Sequence, residues 1–451
     1  MSIQEEKLIL PEPLKVNKNM VKWLDHLEKK GEDIFAIEGH DAIEFMMYLY
    51  LMKKYKTSCA LYHKRAPGME PKLSLFLRLK KGLPQEQQRD MLNRFEAIAT
   101  EVSNCVKRGD KIVIIPLTYY RSKGAHANML IYRRKTNVIE HFEPHGGEYR
   151  DQGNVQDISK HFIGMFIKQL NAEFKKINVP PATYVEASDV CPYIHGLQTL
   201  EGKSKLKSSK LEPGGYCLVW SFFFAELCLK NPEMSSRDVL ENIYNYLTTK
   251  KDDYDYLKKV IRGYTGYISE TMNRYLEIFF KPKITITDFV GEIRQFTFRG
   301  GMILRTLYIL VELEMRIFSD PDFDIKKELY RTKKYYKILT KKYTKNGTKA
   351  EQRKAQHALG NEEYLDLYLY KRVLQNYEEY NNVGTISEPI FDTDSFEKIP
   401  YKKQVNIGVK SQKFKERRES SSPKSKTKTR KSTTSKVKKT QLVIDSDDDS
   451  N

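Results

Sequence analysis

"GGYCLVWSFFFAELCLK", residues Gly214–Lys230, decides how this chain is read. Two glycines close a turn, a cysteine follows, and the residues then run almost unbroken apolar for three turns. A helix that is apolar on every side is a buried one, so this segment is expected as the central helix of a core. Cys217 then opens that helix, just after Gly214 and Gly215, which permit close approach of backbone to a substrate. The thiolate is the reactive form of cysteine. A helix N-terminus and a nearby imidazolium lower a thiol pKa from ~8.5 to well below 7. Buried cysteines more often serve as small hydrophobes, the role expected for Cys228 on the same run. Taken alone, Cys217 fits either role.

An imidazole partner has to come from elsewhere. "DKIVIIPL" (Asp110–Leu117) reads as a buried strand by its β-branched content. "HANMLIY" and "VIEHFEP" follow as two strands around the polar turn RRKTN, a hairpin signal. With the turn centred between Arg134 and Lys135, His126 pairs with Glu143, Asn128 with His141 and Leu130 with Ile139. Cross-strand partners share a face, with Cβ atoms roughly 4.5–5.5 Å apart. A carboxylate beside an imidazole fixes its tautomer and stabilises the imidazolium. A surface His–Glu pair is also common on hairpins, so the pairing gains meaning only beside Cys217. Asn128, on the face of His126, is a candidate hydrogen-bond donor to it, and His141 and His145 flank the acid as secondary partners.

Around this centre the pattern is mixed. Asp157–Phe174 places Ile158, Phe162, Phe166, Leu170 and Phe174 four apart, an amphipathic helix that packs on a sheet. NVPPAT breaks it and "TYVEAS" reads as a further strand. Strands and helices mixed around one long apolar helix indicate an α+β fold. Upstream, Phe35–Ile37 and Ser58–Tyr62 are strand-like, while Ala42–Lys54 and Glu86–Val106 have helical spacing. Downstream, Ser235 with Asp238 caps a helix DVLENIYNYL. From Thr287 to Tyr380 the chain is mainly helical, with breaks at Gly300-Gly301, Pro321 and Asn346-Gly347. There Tyr330–Lys345 interleaves aromatics with lysines. Ile325, Leu329, Tyr336, Leu339 and Tyr343 fall on one face, so an amphipathic helix with a solvated basic side is expected ahead of a base-stacking surface.

Composition bounds the rest. The chain has 451 residues, a net charge of +19 and 40% hydrophobic residues, enough for two or three domains and a sizeable core. Five cysteines at irregular spacing make no disulfide framework. The opening MSIQEEKLILPEPLK has acids where a signal peptide needs a basic start. No apolar run reaches the ~18 residues that span a bilayer. A reducing, intracellular location and no membrane partner are expected. From Lys402 to Lys439 fifteen Lys or Arg stand against two Glu, in a Lys/Ser/Thr segment with little to bury. It is expected to be a disordered tail, able to bind nucleic acid or to act only in solubility or targeting. His141, His145, Cys191 and His195 have no zinc-ligand spacing, so no metal or cofactor is expected.

The order of motifs resembles the cysteine peptidases grouped around adenovirus protease (adenain) and the SUMO-specific proteases, in the divergent form encoded by large DNA viruses. A strand ending in Ile-Pro is followed by His126, an acid at the end of the next strand (Glu143, in "HFEPHG"), a Gln (Gln198, in "GLQTLE"), and Cys217 opening the central helix. The resemblance covers about residues 110–235. It implies a papain-like, adenain-like core with Cys217 as nucleophile, His126 as general base, Glu143 as orienting acid and Gln198 as oxyanion donor. Its substrates imply cleavage after small residues, often glycine, in a viral structural precursor or a ubiquitin-like conjugate. The sequence departs from the family in three ways. Ala127 stands where a Trp often follows the His, the acid is Glu as in adenain, and Gln198 lies nineteen residues before Cys217 rather than about six. GKSKLKSSKLEPGG fills that gap as an inserted loop.

The expected layout is an N-terminal α/β accessory region (1–105), a protease-like core (106–280), a helical accessory region (281–382), and a linker with a basic tail and acidic end (383–451). The location expected from the resemblance is a virion, host cytoplasm or viral factory. The competing reading is an inactive protease-fold virion or nucleoprotein component that binds nucleic acid through its tail.

Overall fold

In the computed structural model, the structure describes residues 18–30, 41–55, 58–59, 75–78, 84–121, 124–146, 155–191, 193, 195–206, 216–248, 253–281, 303–310, 324–345, 348–375 and 391–392. They form a mixed α+β fold in which helices pack on both faces of one sheet. Gly214-Gly215, Phe35–Ile37, the loop at 207–215 and the tail from Lys402 to Lys439 lie outside the described residues.

The sheet is built on β3 (Ile112–Arg121), β4 (Gly124–Arg133) and β5 (Val138–Phe142), an antiparallel meander. β1 (Ser58–Cys59) and β2 (Leu75–Arg78) each run parallel to β3, at successive points along it, and β6 (Thr183–Val185) runs parallel to β5. The strand expected over "TYVEAS" is therefore only its first three residues, since Ala187–Val190 turns into the short helix α5.

Alternation along the strands sorts the core into two layers. Val113, Ile115, Leu117, Leu130 and Tyr132 face α3 (Gln85–Arg108) and α4 (Val155–Lys176), where Phe95 meets Phe166 edge-on at 6.0 Å. Ile112, Ile114, Met129 and Ile131 face the other way, toward α7 (Cys217–Lys230). Every residue from Leu218 to Leu229 is buried, as the all-round apolar sequence requires. Phe224 stacks on Phe142 of β5 at 4.0 Å. Helices α1 (Lys18–Glu28), α2 (Asp41–Lys54), α8 (Ser236–Thr248) and α9 (Asp253–Phe279) close over the outer side of α7 and share its core.

Two buried carboxylates fasten α7 in place. Glu226, fully buried on α7, accepts from Tyr50 Oη (2.6 Å), Lys54 Nζ (2.6 Å) and Tyr55 Oη (2.8 Å). Glu140 of β5 accepts both N–H and O–H of Ser236 at the start of α8 (3.1 and 2.6 Å) and pairs with Arg133 Nε at 2.5 Å. A carboxylate at a helix N-terminus satisfies orphan amides, and here it ties the hairpin to the turn that follows α7. The expected Ser235–Asp238 cap is present, with Asp238 N–H donating to Ser235 Oγ at 3.1 Å.

The hairpin register differs from the expected one. Leu130 pairs with His141 and Tyr132 with Ile139, so β5 is shifted by two residues. The connection is four residues, 134–137, and its last residue, Asn137, sits at φ +54°. Its side chain holds that left-handed turn, accepting from Tyr132 Oη at 3.0 Å and donating to the Pro180 and Pro181 carbonyls. Side chains alternate with a period of two, so a two-residue shift leaves every face assignment intact.

Further along, residues 303–310 are helical, and α10 (Ile325–Thr344) and α11 (Lys349–Gln375) follow, separated where Asn346-Gly347 was expected to break the pattern. β7 (Phe280–Lys281) pairs in parallel with β8 (Phe391–Asp392), a short strand within the stretch expected as linker. Cys191, Cys217 and Cys228 are free thiols. Among the described residues no helix is long and apolar enough to cross a membrane.

Candidate active site

The site lies where the N-terminus of α7 meets the ends of β4 and β5. His126 is the third residue of β4, and Glu143 follows the last residue of β5. Despite the shifted register, they meet: His126 Nε2 lies 2.7 Å from Glu143 Oε1, with both residues buried. The His145 backbone N–H also donates to Glu143 Oε1, at 3.0 Å. The turn after β5 thus holds the carboxylate as well as presenting it.

Cys217 approaches from the other layer. Its thiol and the His126 ring lie close enough to shift each other's pKa. With Nε2 facing Glu143, Nδ1 is the ring nitrogen left for sulfur. The Ala127 backbone N–H donates to Sγ at 3.4 Å. Tyr216, the N-cap of α7, supplies no side-chain cap, so the first amides of the helix keep their partial positive charge directed at the sulfur. Ser221, one turn on, donates to the Cys217 carbonyl at 2.8 Å and lies 3.3 Å from the Ala127 carbonyl, between helix and strand.

The electrostatics follow from this geometry. Burial would push the His126 pKa down, but the Glu143 charge and the thiol push it up to about 10. Burial would raise Cys217, but the hydrogen bond and charge of His126 and the Ala127 amide bring it below the ordinary thiol value. Burial likewise opposes Glu143, and His126 with the His145 amide holds it below the usual carboxylate range. The three shifts favour a thiolate–imidazolium pair backed by a carboxylate. Cys228 provides the contrast. It is fully buried near Ser236 and Arg133, and burial pushes it up to about 11.

Two expected secondary roles change. His141 Nε2 faces Asn128 Oδ1 at 3.2 Å and Nδ1 faces Tyr184 Oη at 2.9 Å. A carbonyl oxygen only accepts, so Nε2 carries the proton and Nδ1 accepts from the tyrosine. Burial and the His126 charge lower His141 to about 4. It is a neutral strut beneath the site that donates to Asn128 Oδ1, while Asn128 Nδ2, the donor expected to reach His126, is buried without a hydrogen-bond partner. His145, by contrast, lies against His126 with ring centroids 5.0 Å apart.

Gln198 lies on α6 (Leu197–Glu201), which is pinned on two sides. Its backbone N–H donates to the Pro144 carbonyl at 2.9 Å, and Gly196 N–H donates to the His145 carbonyl at 2.7 Å. On the other side, Trp220 Nε1 of α7 donates to Glu201 Oε2 at 3.1 Å. Gly146 and Gly196 touch backbone to backbone, where a Cβ on Gly196 would stand 2.2 Å from Gly146 N. The Gln198 Oε1 atom is buried without a hydrogen-bond partner. The residues leading into the inserted loop are held at Asp255, which accepts from Ser204 Oγ (2.6 Å) and Lys205 N–H (2.9 Å). Ser221, the Ala127 amide and the Gly146–Gly196 contact were not anticipated. Only Ser221 had a sequence signal, its spacing of four from Cys217 on a helix. Among the described residues no three His, Cys, Asp or Glu side chains form a group that could hold a metal.

No family model matches the chain, and no solved structure matches it. Over 185 residues it is 27% identical to an ankyrin repeat protein of Acanthamoeba polyphaga mimivirus, a match covering 40% of this chain and 23% of that protein. The chain therefore spans less than a quarter of that relative's length. Ankyrin repeats are ~33-residue units of a turn and two helices, whereas the described core here is a six-stranded sheet between helical layers. The likeness is to a viral protein and brings no activity with it.

Proposed function

We propose that the chain is a thiol peptidase with an adenain-like, papain-like core, cleaving peptide or isopeptide bonds after small residues. The observation that carries this reading is the Cys217–His126–Glu143 line, with Nε2 to Oε1 at 2.7 Å, the Ala127 N–H on the sulfur at 3.4 Å, and His126 lowering the thiol against burial. A core of purely structural thiols would have no reason to oppose burial in this way.

In the proposed reaction, the Cys217 thiolate attacks the scissile carbonyl carbon, and a C–S bond forms as the carbonyl π pair moves to oxygen. That oxyanion is received by the Cys217 backbone N–H at the start of α7 and by the Gln198 amide. The tetrahedral intermediate collapses, the C–N bond breaks, and the imidazolium of His126 gives its proton to the departing amine. Water, deprotonated by neutral His126, then hydrolyses the thioester and restores the thiol. Glu143 holds the ring and stabilises its charged form throughout. One oxyanion donor contributes about 3–4 kcal/mol to the barrier, which makes the placement of Gln198 a sensitive point.

The substrate classes are a viral structural precursor or a ubiquitin-like conjugate. The test is labelling of the purified protein by an electrophilic probe ending in Gly-Gly. Wild type labels, and Cys217→Ala and His126→Ala do not. Label retained in Cys217→Ala, or dependent on Cys228, overturns the reading in favour of an inactive protease-fold component.

A further inference from the structure

The α10 helix carries a feature that the proposed peptidase does not use. Lys327, Lys334, Lys337 and Lys341 of α10, and Lys345 just beyond its last residue, are all exposed, and spacings of three, four and seven residues set the four on one helical stripe that Lys345 continues. None of the five makes an ion pair with a described residue. Tyr330 (66% exposed) and Ile338 (55%) lie within the same stripe. Arg331 is exposed there too.

The opposite side of the helix explains why this stripe faces outward. Tyr336 is fully buried and hydrogen-bonded to Asp366 of α11, which also pairs with Arg305. Leu329 packs against the main core. The apolar side of α10 is thus already used, which leaves no broad apolar face to lie in a lipid surface. The exposed side is cationic, with two large hydrophobic side chains among the charges.

We propose that this stripe of α10 is a nucleic-acid-binding surface that contacts the phosphate backbone. From Lys327 to Lys345 it runs about 27 Å at ~1.5 Å per residue. Over that length a duplex presents about sixteen phosphate charges, one per ~1.7 Å, dense enough to give each lysine an anionic partner. Tyr330 adds a ring able to stack on an unpaired base. The stripe is distinct in sequence from the tail at Lys402–Lys439, so the two can be changed independently in the full chain.

The test is fluorescence anisotropy with a 30-base-pair DNA duplex and the matching single strand, from 50 to 200 mM salt. Three full-length variants are compared with wild type. One has the five lysines changed to Gln, one has them changed to Arg, and a control carries Lys22, Lys29, Lys107, Lys168 and Lys175, all exposed, changed to Gln. Five phosphate contacts give a salt slope of about −4.5, or about 500-fold in affinity across that range. The stripe Gln variant is expected to lose most of that slope, the Arg variant to retain it, and the control to match wild type. A Gln variant that tracks the control overturns the proposal. Stripe-dependent binding to anionic vesicles or poly-glutamate as tight as to DNA overturns it as well, in favour of a lipid or an acidic protein.

Discussion

Glu143→Gln tests the electrostatic core of the site most directly. The amide keeps the shape of the side chain and an oxygen near His126 Nε2, and it removes only the charge. In the wild type, His126 is 7% exposed, and burial alone would hold its pKa below the ordinary 6.5. The Glu143 charge and the thiol overcome that and push it up to about 10. The rise from 6.5 to about 10 corresponds to about 5 kcal/mol at ~1.36 kcal/mol per pH unit; burial is the largest single influence and opposes it, so the Glu143 charge and the thiol outweigh burial only together, with the carboxylate in place. Without it, the imidazole falls below 6.5 and is neutral at pH 7.5. Cys217 then loses the cation that lowers it, and burial raises it above the usual thiol value.

Two measurements follow the change. In protein labelled with 15N-histidine, nine histidines are to be resolved, with His126 assigned by His126→Gln. Its ring should remain imidazolium through pH 8 in the wild type and be neutral at pH 7.5 in Glu143→Gln. Alkylation of Cys217 by chloroacetamide should be flat with pH above the depressed thiol pKa in the wild type. In the variant it should climb tenfold per unit through pH 8. Each unit of thiol pKa gained removes tenfold in thiolate and returns about threefold in nucleophilicity, a net loss of about threefold per unit at neutral pH. Turnover should fall further, by about 10⁴, the scale expected when a triad acid becomes its amide. A wild-type His126 that titrates near 6.5, or two superimposable alkylation profiles, would refute the reasoning.

Gly196→Ala places a Cβ 2.2 Å from Gly146 N, which is backbone and cannot swing aside. The variant should lose at least about 3 kcal/mol in urea unfolding, the upper end for overpacking, and should separate α6 from the Glu143 turn. Full stability with unchanged probe labelling would show that this contact positions nothing. His141 supplies a pH signature. Its folded pKa of about 4 lies below the ordinary 6.5, so between those values the unfolded chain binds more protons and stability rises with pH. That difference corresponds to about 3 kcal/mol lost as pH falls from 6.5 to about 4. His141→Gln should flatten that part of the stability curve, and a variant that keeps the full slope would assign it to other groups.

Much of this arrangement was legible in residue order. The all-apolar run from Leu218 to Leu229 can only be a buried helix, and it is one. The Ser235–Asp238 cap and the hairpin strands are local patterns, and local patterns survive tertiary packing well. The misread features have identifiable causes. Asn137 is an ordinary turn residue until the Pro180 and Pro181 carbonyls accept its amide, and that long-range contact sets the hairpin register. Asn128 lies near the site, but its oxygen accepts from His141 and its amide nitrogen makes no hydrogen bond to His126, an outcome that spacing alone does not decide.

The spacing of Gln198 gives the sharpest lesson. Nineteen residues to Cys217 look too many for the proposed oxyanion donor, if distance along the chain is the measure. The relevant constraint is where the ends are held. Gln198 N–H is bonded to Pro144, one residue from Glu143, and Glu201 is bonded to Trp220 on the helix that Cys217 opens. Ser204 to Leu206 are then gathered on Asp255 as the chain leaves α6. Closing a longer loop costs only about 0.6 kcal/mol per doubling of its length, less than one of these buried hydrogen bonds contributes. An insertion between two anchored ends therefore changes sequence spacing greatly while barely moving the residues on either side. The hairpin register behaves in the same way: a shift of two residues moved every partner in β5, yet His126 and Glu143 still meet because the period of the strand kept both on one face.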